Sequence, residues 1–198
     1  THFEHSKWLL AQAILSQVIQ RADVILIGKL LGPIALGPYH IAKMVTELFG
    51  VEIATAVKSS LFPAFSHRNN GNVSATQFVS AQLGVVCIGA PLCIFLGVLS
   101  DDIVILFLTE KWQSVAPIAS VLVLSAIGML AASAPGALLL ARGLTRMIAL
   151  RQFLASMIFV PGLFLFIGPY GSIGAAMVVS ITTWIGAIAV TYFSLREI

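Results

Sequence analysis

The chain has 198 residues, of which 59% are hydrophobic and only 10% are charged, and its mean hydropathy is +1.00. A soluble domain averages about 25% charged residues, so this composition excludes a water-soluble globular protein and indicates an integral membrane protein. The net charge of +3 comes from Lys and Arg residues that are too few and too dispersed to form a nucleic-acid-binding surface. We therefore expect no nucleic-acid partner.

The apolar segments predict an all-α fold of six membrane-spanning helices in a single lobe, residues 1–198. Roughly 20 apolar residues suffice for one crossing. The second segment is the least apolar, and an amphipathic soluble helix is its alternative interpretation. Because Thr1 and the polar residues after it lack the pattern of a signal peptide, we expect the chain to be a fragment of a longer protein. The predicted spans lie at about residues 8–31, 39–65, 78–100, 115–141, 147–167 and 171–195.

The first predicted span carries two ionisable residues, Arg21 and Asp23. At about 100° per residue, Gln17 shares the helix face of Arg21, whereas Asp23 lies nearly opposite. We predict that Asp23 forms a structural charge pair with Lys43, at matching depth on the next helix, and that Arg21 and Gln17 face a substrate cavity. Alternatively Arg21 is a structural partner of Glu47, and the four charges neutralise one another inside the bundle.

The second predicted span carries a polar stripe at spacings of three and four residues, the period of one helical face. Ionisable groups inside a membrane usually face a bundle interior or a wet cavity, so the stripe indicates the inner wall of a protein that moves a polar substrate. Within it we predict Glu47 and Lys58 as cavity residues. The stripe consists of His40, Lys43, Glu47, Gly50, Ala54 and Lys58.

Lys and Arg are unevenly distributed between the two sides of the predicted bundle, which places both termini in the cytoplasm by the positive-inside rule. On that side Arg142, Arg146 and Arg151 either bind an anionic group of a substrate at the cytoplasmic leaflet or act only as topology determinants. Residues 66–76 form a cytoplasmic loop, and residues 101–112 an outer interfacial segment. The cytoplasmic cations are Lys7, Lys58, Arg68, Arg142, Arg146, Arg151 and Arg196, against Lys29 and Lys111 on the other side.

Three spans each contain a proline, at Pro91, Pro135 and Pro161. A proline removes a backbone hydrogen bond and kinks a helix, so each is either a hinge for alternating access or a static kink. Cys87 and Cys93 are six residues apart in one helix, which suits neither a disulfide nor a metal site. We see no metal, cofactor or nucleotide motif, and we expect a protein that is not an enzyme.

Several short motifs together resemble the C-terminal half of a Wzx-type oligosaccharide and polysaccharide flippase, a family of the multidrug/oligosaccharidyl-lipid/polysaccharide exporter superfamily. The resemblance runs from about Trp8 to the end of the chain. Its motifs are residues 23–33 (DVILIGKLLGP), 36–39 (LGPY), 61–66 (LFPAFS), Lys111-Trp112 with Ala116-Pro117, and 141–143 (ARG).

The resemblance implies one six-helix lobe of a MATE-like exporter, packed in the bacterial cytoplasmic (inner) membrane against an N-terminal lobe that this chain lacks. By alternating access, such a transporter flips an undecaprenyl-diphosphate-linked oligosaccharide for capsule, exopolysaccharide or O-antigen synthesis. The implied partners are this lipid-linked substrate, membrane lipids, a polysaccharide polymerase and glycosyltransferases. The alternatives are a cation-coupled small-molecule or multidrug exporter of the same fold, in which Asp23 titrates, and a non-transporting scaffold for a polymerase.

Overall fold

The computed structural model describes residue 17 and residues 21–67, 75–100, 102 and 112–196. Every regular element in these ranges is a helix. The start of the first predicted span, most of the loop at 66–76 and most of the interfacial segment at 101–112 lie outside the described residues. The helices are α1 (residues 21–30), α2 (Pro33–His67), α3 (Ala75–Val98), α4 (Val115–Ala131), α5 (Ser133–Ala141) and α6 (Thr145–Arg196).

Helix α2 begins at Pro33, whereas the sequence predicted a turn up to Pro38 and a span from Tyr39. Proline is tolerated at the first helical position because the backbone N–H it lacks has no helical partner there. The reversal from α1 occurs at Gly32, whose φ of 79° favours glycine. The two helices pack as an antiparallel pair.

Helix α6 is interrupted at Gly171, where φ is 58° and ψ is −138°. The chain reverses there, since a Cβ added at Gly162 would lie 3.1 Å from Val178 Cγ1, and one at Gly174 would overlap the carbonyl oxygen of Phe166. The two halves of α6, residues 145–170 and 172–196, therefore lie side by side and antiparallel. They correspond to the predicted fifth and sixth spans, with the turn centred at Gly171 rather than at Gly168 to Tyr170.

Helices α2 and α4 run in the same direction. Trp112 lies against Gly37 near the start of α2, and further along both helices a Cβ added at Gly50 would lie 2.7 Å from Ala126 Cβ. The backbones of α2 and α4 are therefore in very close contact at Gly50, as small residues allow in membrane proteins.

The second half of α6 also runs parallel to α4. Ser180 Oγ donates to the Val121 carbonyl at 2.8 Å, and Trp184 Nε1 donates to the Leu124 carbonyl at 2.9 Å. Such interhelical hydrogen bonds satisfy polar groups that lipid cannot satisfy. With α1 antiparallel to α2, and the first half of α6 antiparallel to the second, these directions are those of an up-and-down bundle.

The predicted span at 115–141 is divided at Ala132 into α4 and α5. Pro135 cannot donate to the Ala131 carbonyl, and this freed oxygen instead accepts a hydrogen bond of 2.9 Å from Gln82 Nε2 of α3. Helices α3 and α6, in contrast, run unbroken through Pro91 and Pro161. A hinge function of the three prolines stays a prediction.

Among the described residues, three helices are long and apolar enough to cross a membrane: Thr76–Val98, Val115–Ala141 and Leu150–Arg196. The last has 47 residues, about twice the length of one crossing, because it includes both halves of α6. The all-helical membrane fold is thereby confirmed, while the count of six spans and the cytoplasmic termini stay predictions. Cys87 is exposed and Cys93 is buried, and both thiols are free.

Candidate functional site

A compact group of polar side chains joins α1 to α2. Lys43 Nζ and Tyr39 Oη both donate to Asp23 Oδ2 at 2.6 Å, while Asp23 Oδ1 accepts from the Val24 N–H at 2.8 Å. Glu47 Oε1 lies 3.7 Å from Lys43 Nζ. We call Asp23, Tyr39, Lys43 and Glu47 the charge cluster.

The centre of the charge cluster is fully enclosed, since Asp23 and Tyr39 are both 0% exposed. A buried carboxylate is tolerated when a cation and hydrogen-bond donors compensate for its lost hydration. Tyr39 supplies one of these donors, a role that the sequence analysis did not predict. Its position four residues before Lys43, on the same helical face, is the signal that could have revealed this role.

Beside the charge cluster lies a cavity of about 710 Å³, which we call the charged cavity. Arg21 and Gln17 are exposed and line its α1 side, as Lys43 and Glu47 line its α2 side. No ion pair joins Arg21 to Glu47 within the described part of the chain. The cavity thus contains both signs of charge, and its remaining polar lining residues are His40 and Glu52.

A second cavity, of about 330 Å³, lies further along α2 between α2, α5 and α6. Lys58 of α2 and Arg151 of α6 both line it, and their like charges repel each other. Its described lining includes no Asp or Glu. We call it the basic cavity.

The charged and basic cavities adjoin, because Val51 of α2 and Met129 of α4 line both. The predicted site residues are therefore distributed between two neighbouring cavities: Gln17, Arg21 and Glu47 in one and Lys58 in the other. The sequence analysis predicted that Arg151, with Arg142 and Arg146, either binds an anionic group of a substrate or acts as a topology determinant, and it did not predict a cavity that Arg151 shares with Lys58. None of the three predicted hinge prolines lines either cavity.

The chain resembles known proteins of one kind. The family model described as "Polysaccharide biosynthesis protein" matches residues 1–117, more than half of the chain. Curated relatives include the teichuronic acid biosynthesis protein TuaB of Bacillus subtilis (strain 168), 28% identical over 71% of this chain and 29% of the relative. No solved structure gives a significant match.

Two further relatives cover more of the chain. An uncharacterized membrane protein in the cps region of Klebsiella pneumoniae is 24% identical over 98% of this chain and 40% of the relative. The lipopolysaccharide biosynthesis protein WzxC of Escherichia coli (strain K12) is 24% identical over 86% of this chain and 35% of the relative. The chain thus spans between 29% and 40% of the length of these relatives.

Proposed function

This chain belongs to the polysaccharide biosynthesis protein family, and we propose that it is one lobe of a transporter that flips a lipid-linked oligosaccharide across the membrane. The predicted resemblance to Wzx-type polysaccharide flippases is confirmed by the family match and by the relative WzxC. The protein is a multi-pass protein of the bacterial cytoplasmic (inner) membrane. Its family points to a transporter rather than to an enzyme.

The observation that carries the proposal is the depth of Arg21. At about 1.5 Å per residue, Arg21 lies roughly 16 Å along α1 from the turn at Gly32, near the middle of a hydrocarbon core about 30 Å thick. It is exposed to the charged cavity there. A cation at this depth needs hydration or an anionic partner, both of which a transport pathway for a charged lipid headgroup supplies.

The chemistry of Arg21 suits an undecaprenyl-diphosphate headgroup. A guanidinium donates two parallel hydrogen bonds to a phosphate, which an ammonium cannot reproduce. Gln17 and His40 add polar groups to the lining of the same cavity, suitable for sugar hydroxyls. An N-terminal lobe would complete the pathway, and a polymerase and glycosyltransferases would consume and supply the substrate.

Replacement of Arg21 in the intact protein tests the proposal. Arg21→Ala should abolish surface polysaccharide while membrane levels of the protein stay near normal, and Arg21→Lys should be partly active. The control is Lys29→Ala, because Lys29 is an exposed cation on the same helix that lines neither cavity. Normal export by Arg21→Ala would contradict the proposal, and a parallel loss of protein would make Arg21 a structural residue.

The alternative of a cation-coupled exporter depends on Asp23 exchanging its proton. In the structure Asp23 is fully buried, paired with Lys43 and hydrogen-bonded by Tyr39, an arrangement that favours a structural role for this carboxylate. If the intact Asp23→Asn variant exports polysaccharide normally, Asp23 neither exchanges a proton during transport nor forms an essential structural pair with Lys43.

A further inference from the structure

The basic cavity contains an arginine, Arg151, whose Nε atom has no hydrogen-bond acceptor among the described residues. Arg151 lies flat over the second half of α6, where a Cβ added at Gly186 would be 2.7 Å from its Nη2 and 3.3 Å from its Nε. The Nε atom is buried, and no described residue accepts a hydrogen bond from it. A buried donor without an acceptor is costly, so this guanidinium is suited to an acceptor from outside the protein.

The described surroundings of Lys58 and Arg151 also lack negatively charged groups. Among the residues that the structure describes, no carboxylate lies within ion-pair distance of either Lys58 or Arg151. Their mutual repulsion, with no acid in the described lining, makes the cavity attractive to an anion. Its volume corresponds to on the order of ten water molecules, which leaves room for a phosphate group.

Three of the hydroxyl groups that line the basic cavity already donate hydrogen bonds to backbone carbonyls. Ser133 donates to the Leu130 carbonyl at 2.7 Å, Thr182 to Val178 at 2.7 Å and Thr183 to Val179 at 2.7 Å, so these hydrogens are already used. These three residues line the cavity without a hydrogen to offer an anion.

The remaining polar lining residues stand next to the two cations. Thr55 precedes Lys58 by three residues on the same face of α2, and Gln152 follows Arg151 on α6. Four groups from two helices, Thr55, Lys58, Arg151 and Gln152, are therefore placed around the anion-attracting space.

The depth of the basic cavity determines which level of the membrane its two cations reach. Lys58 lies about 37 Å along α2 from Pro33, and Arg151 about 30 Å along α6 from Gly171, at about 1.5 Å per residue. Pro33 and Gly171 are at the same end of the bundle, since Ser172 Oγ donates to the Ala35 carbonyl at 3.4 Å. Across a hydrocarbon core about 30 Å thick, both cations reach the headgroup level of the opposite leaflet.

We propose that Lys58 and Arg151, assisted by Thr55 and Gln152, form a binding site for the phosphate of a lipid headgroup. The phosphate comes either from an anionic phospholipid or from the diphosphate of the transported lipid. Only the second source rests on the proposed transport function. Arg151 binds the phosphate oxygens through its planar fork of donors, and Lys58 contributes a point charge from the opposite wall.

Native mass spectrometry of the intact protein tests the site with three defined probes: phosphatidylglycerol, undecaprenyl diphosphate, and diacylglycerol as the phosphate-free control. Lys58→Gln and Arg151→Gln should each weaken retention of at least one phosphate-bearing lipid by roughly tenfold, the effect expected for a lost charge-assisted hydrogen bond. Diacylglycerol retention should not change. Lys58→Gln keeps the test valid if Arg151→Gln fails to fold, because the Lys58 side chain is accessible.

The matched control is Arg196→Gln, since Arg196 lies over the Tyr192 ring at 4.9 Å and does not line the cavity. Weakened retention of phosphatidylglycerol alone identifies a resident phospholipid, and weakened retention of undecaprenyl diphosphate identifies the substrate. Unchanged retention of both, or an equal loss with Arg196→Gln or for diacylglycerol, would overturn the site. This binding result is independent of whether Arg21→Ala blocks export.

Discussion

Two lysines of α2, Lys43 in the charge cluster and Lys58 in the basic cavity, have opposite electrostatic surroundings. Lys43, in the charge cluster, donates to Asp23 Oδ2 at 2.6 Å and lies 3.7 Å from Glu47. Lys58, fifteen residues later on α2, shares its cavity with Arg151 and with no described acid. Lys43 is neutralised within the protein, whereas Lys58 has no carboxylate beside it among the described residues.

The role of an intramembrane charge therefore depends on its neighbours in the folded protein and cannot be assigned from its position in the sequence. A cation with a buried carboxylate partner holds helices together, and its removal is expected to lower stability. A cation beside another cation contributes repulsion to the folded state, and its removal is expected to affect binding instead. The predictions below use protein stability to separate these two cases.

The largest effect should follow from Asp23→Asn, which leaves the Lys43 ammonium buried without a full counter-charge. We expect the free energy of unfolding to fall by about 3 to 5 kcal/mol, with a corresponding loss of folded protein. The measurement is the thermal unfolding midpoint of the purified protein in detergent. Glu52→Gln serves as the control, because Glu52 is an exposed acid that forms no ion pair with any described residue.

A charge reversal extends that test. The double variant Asp23→Lys with Lys43→Asp should recover part of the lost stability, although Tyr39 will no longer donate to residue 23. If the stability lost by the double variant equals the sum of the losses of Asp23→Lys and Lys43→Asp, Asp23 and Lys43 are not energetically coupled. The contrast between Lys43 and Lys58 would then be wrong.

A smaller loss should follow from Tyr39→Phe, which removes one donor from Asp23 but keeps the packing of the ring. A hydrogen bond to a charged group contributes about 1.5 to 3 kcal/mol, so the loss should be about half that of Asp23→Asn. Tyr170→Phe is the matched control, because Tyr170 is exposed at the turn of α6. Equal midpoints for Tyr39→Phe and the wild type would mean that Lys43 alone stabilises the buried carboxylate.

Gly50→Ala tests the close contact between α2 and α4. Gly50 lies on α2 between Lys43 of the charge cluster and Lys58 of the basic cavity. The added methyl would lie 2.7 Å from Ala126 Cβ and 2.8 Å from Ala126 Cα, so α2 and α4 must separate. Overpacking of this kind costs about 1 to 3 kcal/mol. Gly84→Ala is the control, since no heavy atom lies within 4 Å of a Cβ there. If the two alanine variants have the same unfolding midpoint, the α2–α4 contact does not set the position of α2.

The smallest effect should come from Lys58→Gln. Because it removes a cation that only repels Arg151, the free energy of unfolding should stay within about 0.5 kcal/mol of the wild-type value, on the side of higher stability. The same thermal midpoint measures this. A loss as large as that of Tyr39→Phe would show that Lys58 has a structural partner, and the contrast between the two regions would disappear.

Composition and hydropathy alone determined the membrane location and the helical fold, because a chain with 10% charged residues can neither cover a soluble surface nor leave its backbone unpaired in lipid. The Asp23 and Lys43 pair was also predicted from the sequence, because the two residues have opposite charges and lie at matching depth on adjacent helices. The short motifs were sufficient to indicate the family.

The tertiary structure decided which groups meet across distant parts of the chain. Lys58 and Arg151 are far apart in sequence and come together only because the packing of the helices places α2 and the first half of α6 around one cavity. The break at Ala132 likewise depends on Gln82 of another helix, which accommodates the carbonyl freed by Pro135. Local periodicity reports the face of one helix, whereas the partner of that face is set by packing among all of the helices.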